Sequence, residues 1–505
     1  MDKPMSKCSF LATLVILSLA TVSFGQVPQS RHVFIVVEEN TNYVGSVGSS
    51  LMPYLNNLAN QYGLATQYYA DTHPSIGNYL MLTTGQILTN DDGQTPTTFP
   101  VSADNIVREL LAAGKTWKSY CEDLPSVGYI GGDSGNYAVR HCPLPYMTDV
   151  QNSTTQRQNL VPFTQFPADL ASGTLPNYSF IAPNLCNDAH DCGIDVADSW
   201  LQTNIDPLIK SALFQKDGLL IILFDEADTD NSHGGGQVLW VVIGPQVKSS
   251  FKSGNFYQHE NTLRMLCEAL ALTNCPGAAA TAADMAEFFV PDITPPATTA
   301  SASPTPNSNG WNNTDVYVTL TSTDNVGGTG VKNVQFVLTG AQTDDSTVEG
   351  SGTTIRITAH GTTNLMYFGT DNAGNVEPPK TLTVNIDKAP PVITGMPAPS
   401  CAIWPPNHTL TEIGTVTASD ALSGVAPGSL IVAGNSNEPS RLSDRDIVIA
   451  SNGSRGFTIQ LRAERLGAGT GRVYTLNATA TDLAGNIATS TAQCAVPHDQ
   501  RAYVP

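Results

Sequence analysis

Residues 32–40 read HVFIVVEEN. His32–Val37 is a short, mostly apolar run rich in β-branched residues, which predicts a buried strand. It ends directly in Glu38, Glu39 and Asn40. In open α/β sheets, ligands bind outside the carboxyl ends of the strands, so polar residues at that position are site candidates. Outward from this stretch the texture recurs. Strands are expected at Leu64–Tyr69, Leu219–Phe224 and Gln237–Ile243. Between them, helices are expected at Met52–Tyr62, Ser75–Thr84, Ala103–Ala113 and Glu260–Leu272. Buried strands alternating with helices imply an α/β domain with a mostly parallel sheet.

The pattern changes near residue 292. DITPPATTASASPTPNSNG (292–310) is rich in Pro, Ser and Thr and reads as a linker or module entrance. Beyond it, strands are expected at Val316–Thr323, Val331–Leu338, Thr354–Ala359, Leu365–Thr370 and Lys380–Ile386. A second linker, DKAPPVITGMPAP (387–399), leads to Glu412–Ala418, Ile447–Ala450, Phe457–Ala463 and Val473–Ala478. GTDNAGNVE (369–377) and ATDLAGNIA (480–488) match each other near the end of each set. This is an internal repeat of two β-sandwich modules. The expected domains are therefore a signal peptide over 1–25, an α/β domain over 26–290, and β modules over 291–389 and 390–505. At ~100–200 residues per domain, three folded domains suit a chain of this length.

Of the 505 residues, 41% are hydrophobic and 13% charged, and the net charge is −20. That balance speaks against a nucleic-acid partner or an anionic membrane surface. It still permits a small anionic substrate, because a bound cation reverses the local field. Lys3 and Lys7 precede the apolar run Phe10–Val22 and the small residues Ser23 and Gly25. This predicts a signal peptide cleaved after Gly25 and a secreted, periplasmic or cell-surface protein. The run is short for a membrane anchor, and no later stretch is long enough to span a bilayer. Eight cysteines follow the expected cleavage site. Proximity suggests the pairs Cys121–Cys142, Cys186–Cys192 and Cys267–Cys275, with Cys401–Cys494 bracketing the last module. There is no CxxC, so a thiolate zinc site is not expected.

Three motifs could carry chemistry. At the end of the first strand, Glu39 and Asn40 offer hard oxygen ligands for a cation; solvated strand-end acids are the plain alternative. In YYADTHPSIGNYLMLTTG (68–85), Thr72 and His73 stand at a helix entrance. A hydroxyl there can meet a phosphoryl group held by free backbone N–H groups, although Thr72 or Ser75 could equally be a simple N-cap. In LLIILFDEADTDNSHGGG (219–236), Asp225 and Glu226 cap a very apolar strand. Two adjacent carboxylates on a rigid element are costly unless something positive lies between them, and a metal ion is the expected compensator. Weaker signals are His141, the polar group Asn184, Asp188, His190 and Asp191, and His259 with Glu260.

Together, EEN (38–40), THPSIGNYL (72–80), WKSYCEDLP (117–125), APNLCNDAHD (182–191), FDEAD (224–228) and VVIGP (241–245) resemble the bacterial phosphoesterase family of secreted acid phosphatases and phospholipases C, within the alkaline phosphatase superfamily. The resemblance covers about residues 30–288. It implies a three-layer α/β/α sandwich that hydrolyses phosphate esters with a hydroxyl nucleophile beside bound divalent metal. Carried over, it makes Glu39, Asn40, Asp225, Glu226 and His259 metal ligands and Thr72 the nucleophile, with Ser75 as the alternative. His141 and His190 become phosphate-pocket donors or leaving-group acids, and Asn40, His73, Ser75 and Asn184 substrate contacts. The full two-zinc ligand set of alkaline phosphatases is not evident. NGWNNTDVYVTLT, GTDNAGN and IWPPNHTL resemble bacterial immunoglobulin-like modules, which implies cell-surface or polysaccharide contact. The expected activity is hydrolysis of phosphate monoesters. A phospholipase C would need an aromatic cage for a choline headgroup, for which Tyr68, Tyr69, Tyr120 and Tyr137 are the candidates. A surface-binding protein with an inactive α/β domain is the third reading.

Overall fold

The computed structural model describes residues 26–440, 445–453 and 456–499. The signal peptide expected over 1–25 lies outside the described residues. The chain forms two compact units. One holds the chain up to Pro296 with the short segments Asp324–Gly330 and Asp371–Asn375, and the other holds the rest.

The first unit is built on an eight-stranded sheet. Its strands are β1 (His32–Glu38), β2 (Gly63–Ala65), β3 (Trp117–Cys121), β4 (Leu160–Pro162), β5 (Tyr178–Ala182), β6 (Gly218–Phe224), β7 (Trp240–Ile243) and β8 (Phe251–Ser253), in the order β4-β3-β5-β1-β6-β7-β2-β8. β4, β3, β5, β1 and β6 pair parallel. β7 is antiparallel to both β6 and β2, while β8 is parallel to β2. Only β7 therefore runs against the rest, and the expected mostly parallel sheet is present. Every residue of β1 and β6 is buried. Side chains of a strand alternate between faces, so both faces of the sheet are covered and the unit has three layers. The helix Ser75–Thr84 packs on the helix His259–Ala269, and Pro53–Gln61 packs on Ile194–Asn204. All ten residues of Ser75–Thr84 are buried. It stops at Gly85, whose φ of 65° is left-handed and where a Cβ would come within 2.4 Å of the Pro276 carbonyl oxygen. Only glycine fits there.

The register between β1 and β6 positions the site. Val37 lies opposite Leu223 and Glu38 opposite Phe224. The next residues, Glu39 and Asp225, thus leave the sheet side by side. The Asp225 N–H donates to the Glu38 carbonyl at 2.9 Å and the Glu39 N–H to the Asp188 carbonyl at 2.7 Å.

The second half carries two β modules, each with its own apolar core. In the first, β9 (Ala297–Ser303), β10 (Val316–Thr323) and β13 (Gly352–Ile357) form one sheet. β11 (Val331–Gly340), β12 (Asp344–Glu349), β14 (Gly361–Asp371) and β15 (Lys380–Ile386) form the other. Strict in-out alternation along β10 places Val316, Val318 and Leu320 in the core. Of the two readings of 292–310, linker or module entrance, residues 297–303 follow the second, pairing with β10 along their whole length. Small Ser and Thr side chains suit an edge strand, and composition alone could not reveal the partner. In the second module, β16 (Val392–Thr394), β17 (Leu410–Ser419), β19 (Ile447–Ser451) and β20 (Gly456–Arg462) face β18 (Ile431–Ser436), β21 (Gly471–Thr481) and β22 (Ile487–Pro497). The two matching motifs adopt one turn. Asn375 donates its N–H and side-chain amide to the two oxygens of Asp371, and Asn486 does the same to Asp482. Both modules are immunoglobulin-like two-sheet sandwiches.

Cys121–Cys142, Cys186–Cys192 and Cys401–Cys494 are disulfides, as expected. The expected Cys267–Cys275 bond is absent. Both are free thiols. Cys267 is held on the buried face of its helix, while Cys275 is half-buried in the loop that follows. Among the described residues, no helix is long and apolar enough to cross a membrane.

Candidate active site

The carboxyl ends of β1 and β6 bring Glu39, Asp225 and Glu226 together, and the helix Ser75–Thr84 aims its first residue at them. The Ser75 hydroxyl, buried, donates to Glu39 Oε2 at 3.1 Å. The same hydroxyl also lowers the proton affinity of Asp225 and Glu226. Tyr79, one helical turn on, donates a short hydrogen bond to Glu39 Oε1. The Asn40 N–H reaches Asp225 Oδ1 at 3.4 Å, from a residue with the left-handed φ of 47°. Asn tolerates that conformation better than most residues.

Burial is the main force on these acids. It pushes the Glu39 and Asp225 carboxyls well above the usual carboxylate range, and their negative neighbours push them further. Glu226 rises to about 8, through burial and then the charge of Asp92. Asp188 rises to about 7, mainly through burial. Mutual repulsion of this kind is relieved when a cation lies among the oxygens.

Behind Glu39 stands His141, also buried. Its Nδ1 is 3.0 Å from Asp188 Oδ2, and its ring stacks on Tyr79 at 5.3 Å between centroids. Burial holds its pKa well below the ordinary histidine value. With Asp188 accepting from Nδ1, the lone pair of Nε2 is turned toward Glu39 Oε1, 3.3 Å away but outside hydrogen-bonding geometry. Glu39, His141 and Asp188 present ligand atoms within 4.8 Å of one another, and this buried group could hold a metal ion. Two atoms support that fit. His141 Nε2 and Asp225 Oδ2 are buried with no hydrogen-bond partner, and buried polar atoms are rarely left so. Carboxylate oxygens and an imidazole suit a divalent cation.

The other expected residues divide clearly. Thr72 is near the site but its hydroxyl faces elsewhere, donating to the His73 carbonyl at 3.2 Å and accepting from Asn90 at 2.8 Å. His73 supports Glu226, with Nδ1 at 2.9 Å from Oε2 and Nε2 at 3.1 Å from the Asp230 carbonyl. His190 is partly exposed at the rim, its ring 5.7 Å from that of His141. Asn184 organises its own loop, accepting from the Cys186 and Asn187 N–H groups and donating to Asp123. His259 does not face the carboxylates. Its Nε2 is 2.7 Å from the Asp225 backbone carbonyl and its Nδ1 is 3.0 Å from the Tyr68 hydroxyl, so both nitrogens are engaged in the core. The aromatic cage is not assembled either, since Tyr68, Tyr120 and Tyr137 are core residues. Tyr79, Asn78 and Asp92 were missed. The Asn78 side chain ties Thr72 to Glu226, and Asp92 accepts from the Ile76 N–H. Tyr79 and Asn78 had one available signal, their one-turn spacing after Ser75.

Residues 32–272 match the family model described as the phosphoesterase family. A phosphatidylinositol-3-phosphatase of Mycobacterium tuberculosis is 34% identical over 258 residues, covering 49% of this chain and 82% of that protein. The chain belongs to the phosphoesterase family. A probable acid phosphatase of Kluyveromyces lactis is 32% identical over 243 residues, which is 46% of this chain and 56% of the yeast protein. This phosphoesterase thus spans about half the length of that fungal relative. Among solved structures, a protein in the alkaline phosphatase superfamily from Vibrio parahaemolyticus aligns with 66% of this chain and 84% of its own, at 12% identity and a TM-score of 0.35. The matched family region coincides with the sheet and all the residues of the site.

Proposed function

We propose that this phosphoesterase hydrolyses phosphate monoesters with Ser75, rather than Thr72, as the nucleophile. The observation that carries the reading is the Ser75 hydroxyl, buried against Glu39, Asp225 and Glu226 at the start of a ten-residue helix. Glu39, Asn40, Asp225, Glu226 and His141 would hold a divalent cation, with Asp188 orienting His141. When bound, such an ion supplies Lewis acidity and makes the serine hydroxyl easier to deprotonate. The phosphoryl group rests over the N-terminal turn of the helix, where backbone N–H groups favour anions. Ser75 passes its hydroxyl proton to Glu39 Oε2, to which it already donates, as Oγ attacks phosphorus in line and the ester oxygen leaves, forming a phosphoserine. His190, at the rim, gives that oxygen its proton in this reading, and water releases phosphate in a second step. Tyr79 and His73 keep Glu39 and Glu226 in place throughout.

The mycobacterial and yeast relatives, a phosphatidylinositol-3-phosphatase and a probable acid phosphatase, support a monoester substrate. The three disulfides support export to an oxidising compartment. The immunoglobulin-like modules then serve in display or in contact with the cell surface or a polysaccharide. Turnover of p-nitrophenyl phosphate by metal-loaded protein, abolished in Ser75→Ala and retained in Thr72→Ala, is the test. Full activity in the serine variant would overturn the assignment.

A further inference from the structure

Arg140 has no part in the chemistry above, yet it stands beside it. It lies in the short turn Val139–His141, immediately before His141. Its side chain is only 15% exposed and meets two carboxylates loosely. Nε is 3.7 Å from Asp92 Oδ2 and Nη1 is 3.3 Å from Asp133 Oδ2, and the Asp133 side chain is 54% exposed. Arg108 provides the contrast. Its Nε and Nη2 grip the two oxygens of Asp149 at 3.3 and 2.9 Å, the two-point contact a guanidinium makes with a committed partner. Asp92 fixes where Arg140 sits. Its Oδ1 accepts from the Ile76 N–H at 3.0 Å, and Ile76 follows Ser75. A single carboxylate therefore separates the guanidinium from the helical turn that carries the nucleophile. The positive charge is felt deeper in the site too, where it lowers the proton affinity of His141 and Asp188. Around Ser75 the acids Glu39, Asp225, Glu226, Asp188 and Asp92 gather, and Arg140 is a permanent cation joined to that group through Asp92.

We propose that Arg140 is the residue that selects monoesters. Its guanidinium grips two non-bridging oxygens of the phosphoryl group seated over Ser75, while Asp92 steadies it through Nε. A monoester carries about −1.5 to −2 charge near neutral pH. A diester carries only one negative charge, so it gains less from a fixed guanidinium charge. This inference rests on the functional reading above and adds the source of its selectivity.

The experiment uses the full metal-loaded chain and its Arg140→Ala and Arg140→Lys variants. KM and kcat are measured with p-nitrophenyl phosphate and with bis(p-nitrophenyl) phosphate, and inhibition is measured with inorganic phosphate. Arg140→Ala should raise KM for the monoester and weaken phosphate inhibition by about 10–100-fold, the scale of lost charge-assisted hydrogen bonds. Diester kcat/KM should change by less than about 3-fold, and Arg140→Lys should recover only part of the loss, because a point charge lacks the fork. Thermal melts separate a binding loss from a folding loss. An active wild type whose Arg140→Ala variant keeps its phosphate inhibition, or loses both esters equally, overturns the inference alone. A wild type that turns over neither ester overturns the functional reading and the inference with it.

Discussion

Replacing Ser75 by alanine tests the core of the functional reading. The hydroxyl is lost and the Cβ stays, so packing at the start of the buried helix is preserved. One hydrogen bond to a buried carboxylate, Ser75 to Glu39 Oε2 at 3.1 Å, disappears. Losing a bond to a charged or buried group costs about 1–3 kcal/mol. A domain this size withstands that, and Tyr79 still donates to the other oxygen of Glu39. The variant should therefore fold, melt a few degrees lower and retain its metal ligands. Its activity should behave differently. Without a nucleophile the covalent route is closed, and only binding and electrostatic stabilisation remain. A loss of about 10³-fold or more in kcat, equivalent to about 4 kcal/mol of transition-state stabilisation, is expected. The assay is steady-state release of p-nitrophenol at saturating metal. Acid quench and peptide mass analysis of the wild type should find one phosphoryl group on the peptide holding Ser75. A Ser75→Ala protein within a few-fold of wild type, or a phosphoryl group found on Thr72, would refute the reasoning.

Asp225→Asn should lose bound metal, seen by elemental analysis, and drop turnover by about 10²-fold or more, since several kcal/mol of charge stabilisation depends on the ion. His259→Ala should destabilise the fold by about 1–3 kcal/mol, because the Asp225 carbonyl and Tyr68 hydroxyl lose their shared partner; it should retain metal, and metal loss at unchanged stability would contradict the placement. The carboxyls of Glu226 and Asp188, raised to about 8 and about 7, are protonated in the metal-free fold where the unfolded chain has already released its protons. Their contribution to stability is thus complete below about pH 4 and is lost as pH rises toward about 8. Cation binding needs these groups ionised, so added divalent metal should raise the melting temperature more at pH ~8 than at pH ~5. Equal shifts at both would count against the ligand set. Alkylation of unfolded, unreduced mature protein should label Cys267 and Cys275 and leave the other six cysteines of the described residues untouched.

The parts of this molecule that were legible in its sequence are those written locally. β6 and the helix Ser75–Thr84 match their expected spans to within a residue, because an unbroken apolar run and a closing Gly85 mark them. WKSYC and YSFIA form β3 and β5, although their sequences alone do not mark them as strands. Each is five residues long with polar members, and only pairing with a neighbour buries them. The acids were visible because they sit at strand ends. The choice between Thr72 and Ser75 was not, since both occupy a helix entrance and only the folded position of Glu39, 36 residues from Ser75, distinguishes them. His259 shows the same limit. It stands beside an acid in the sequence, but its two partners lie 34 and 191 residues away in the core.

The pairing of β1 with β6 acts as a gauge for the whole centre. Glu39 and Asp225 are tied only through neighbours, by the Asn40 N–H on Asp225 and the Ser75 hydroxyl between them. Their spacing is inherited from seven consecutive matched residues, His32 against Gly218 through Glu38 against Phe224. One residue inserted into either strand would displace its acid by about 3.3 Å and turn the side chain to the opposite face of the sheet. The two central strands can therefore exchange one buried apolar residue for another of similar volume at modest cost, but they cannot change length. Drift in this lineage is expected to collect in the loops, while the count of residues between His32 and Glu39, and between Gly218 and Asp225, stays fixed.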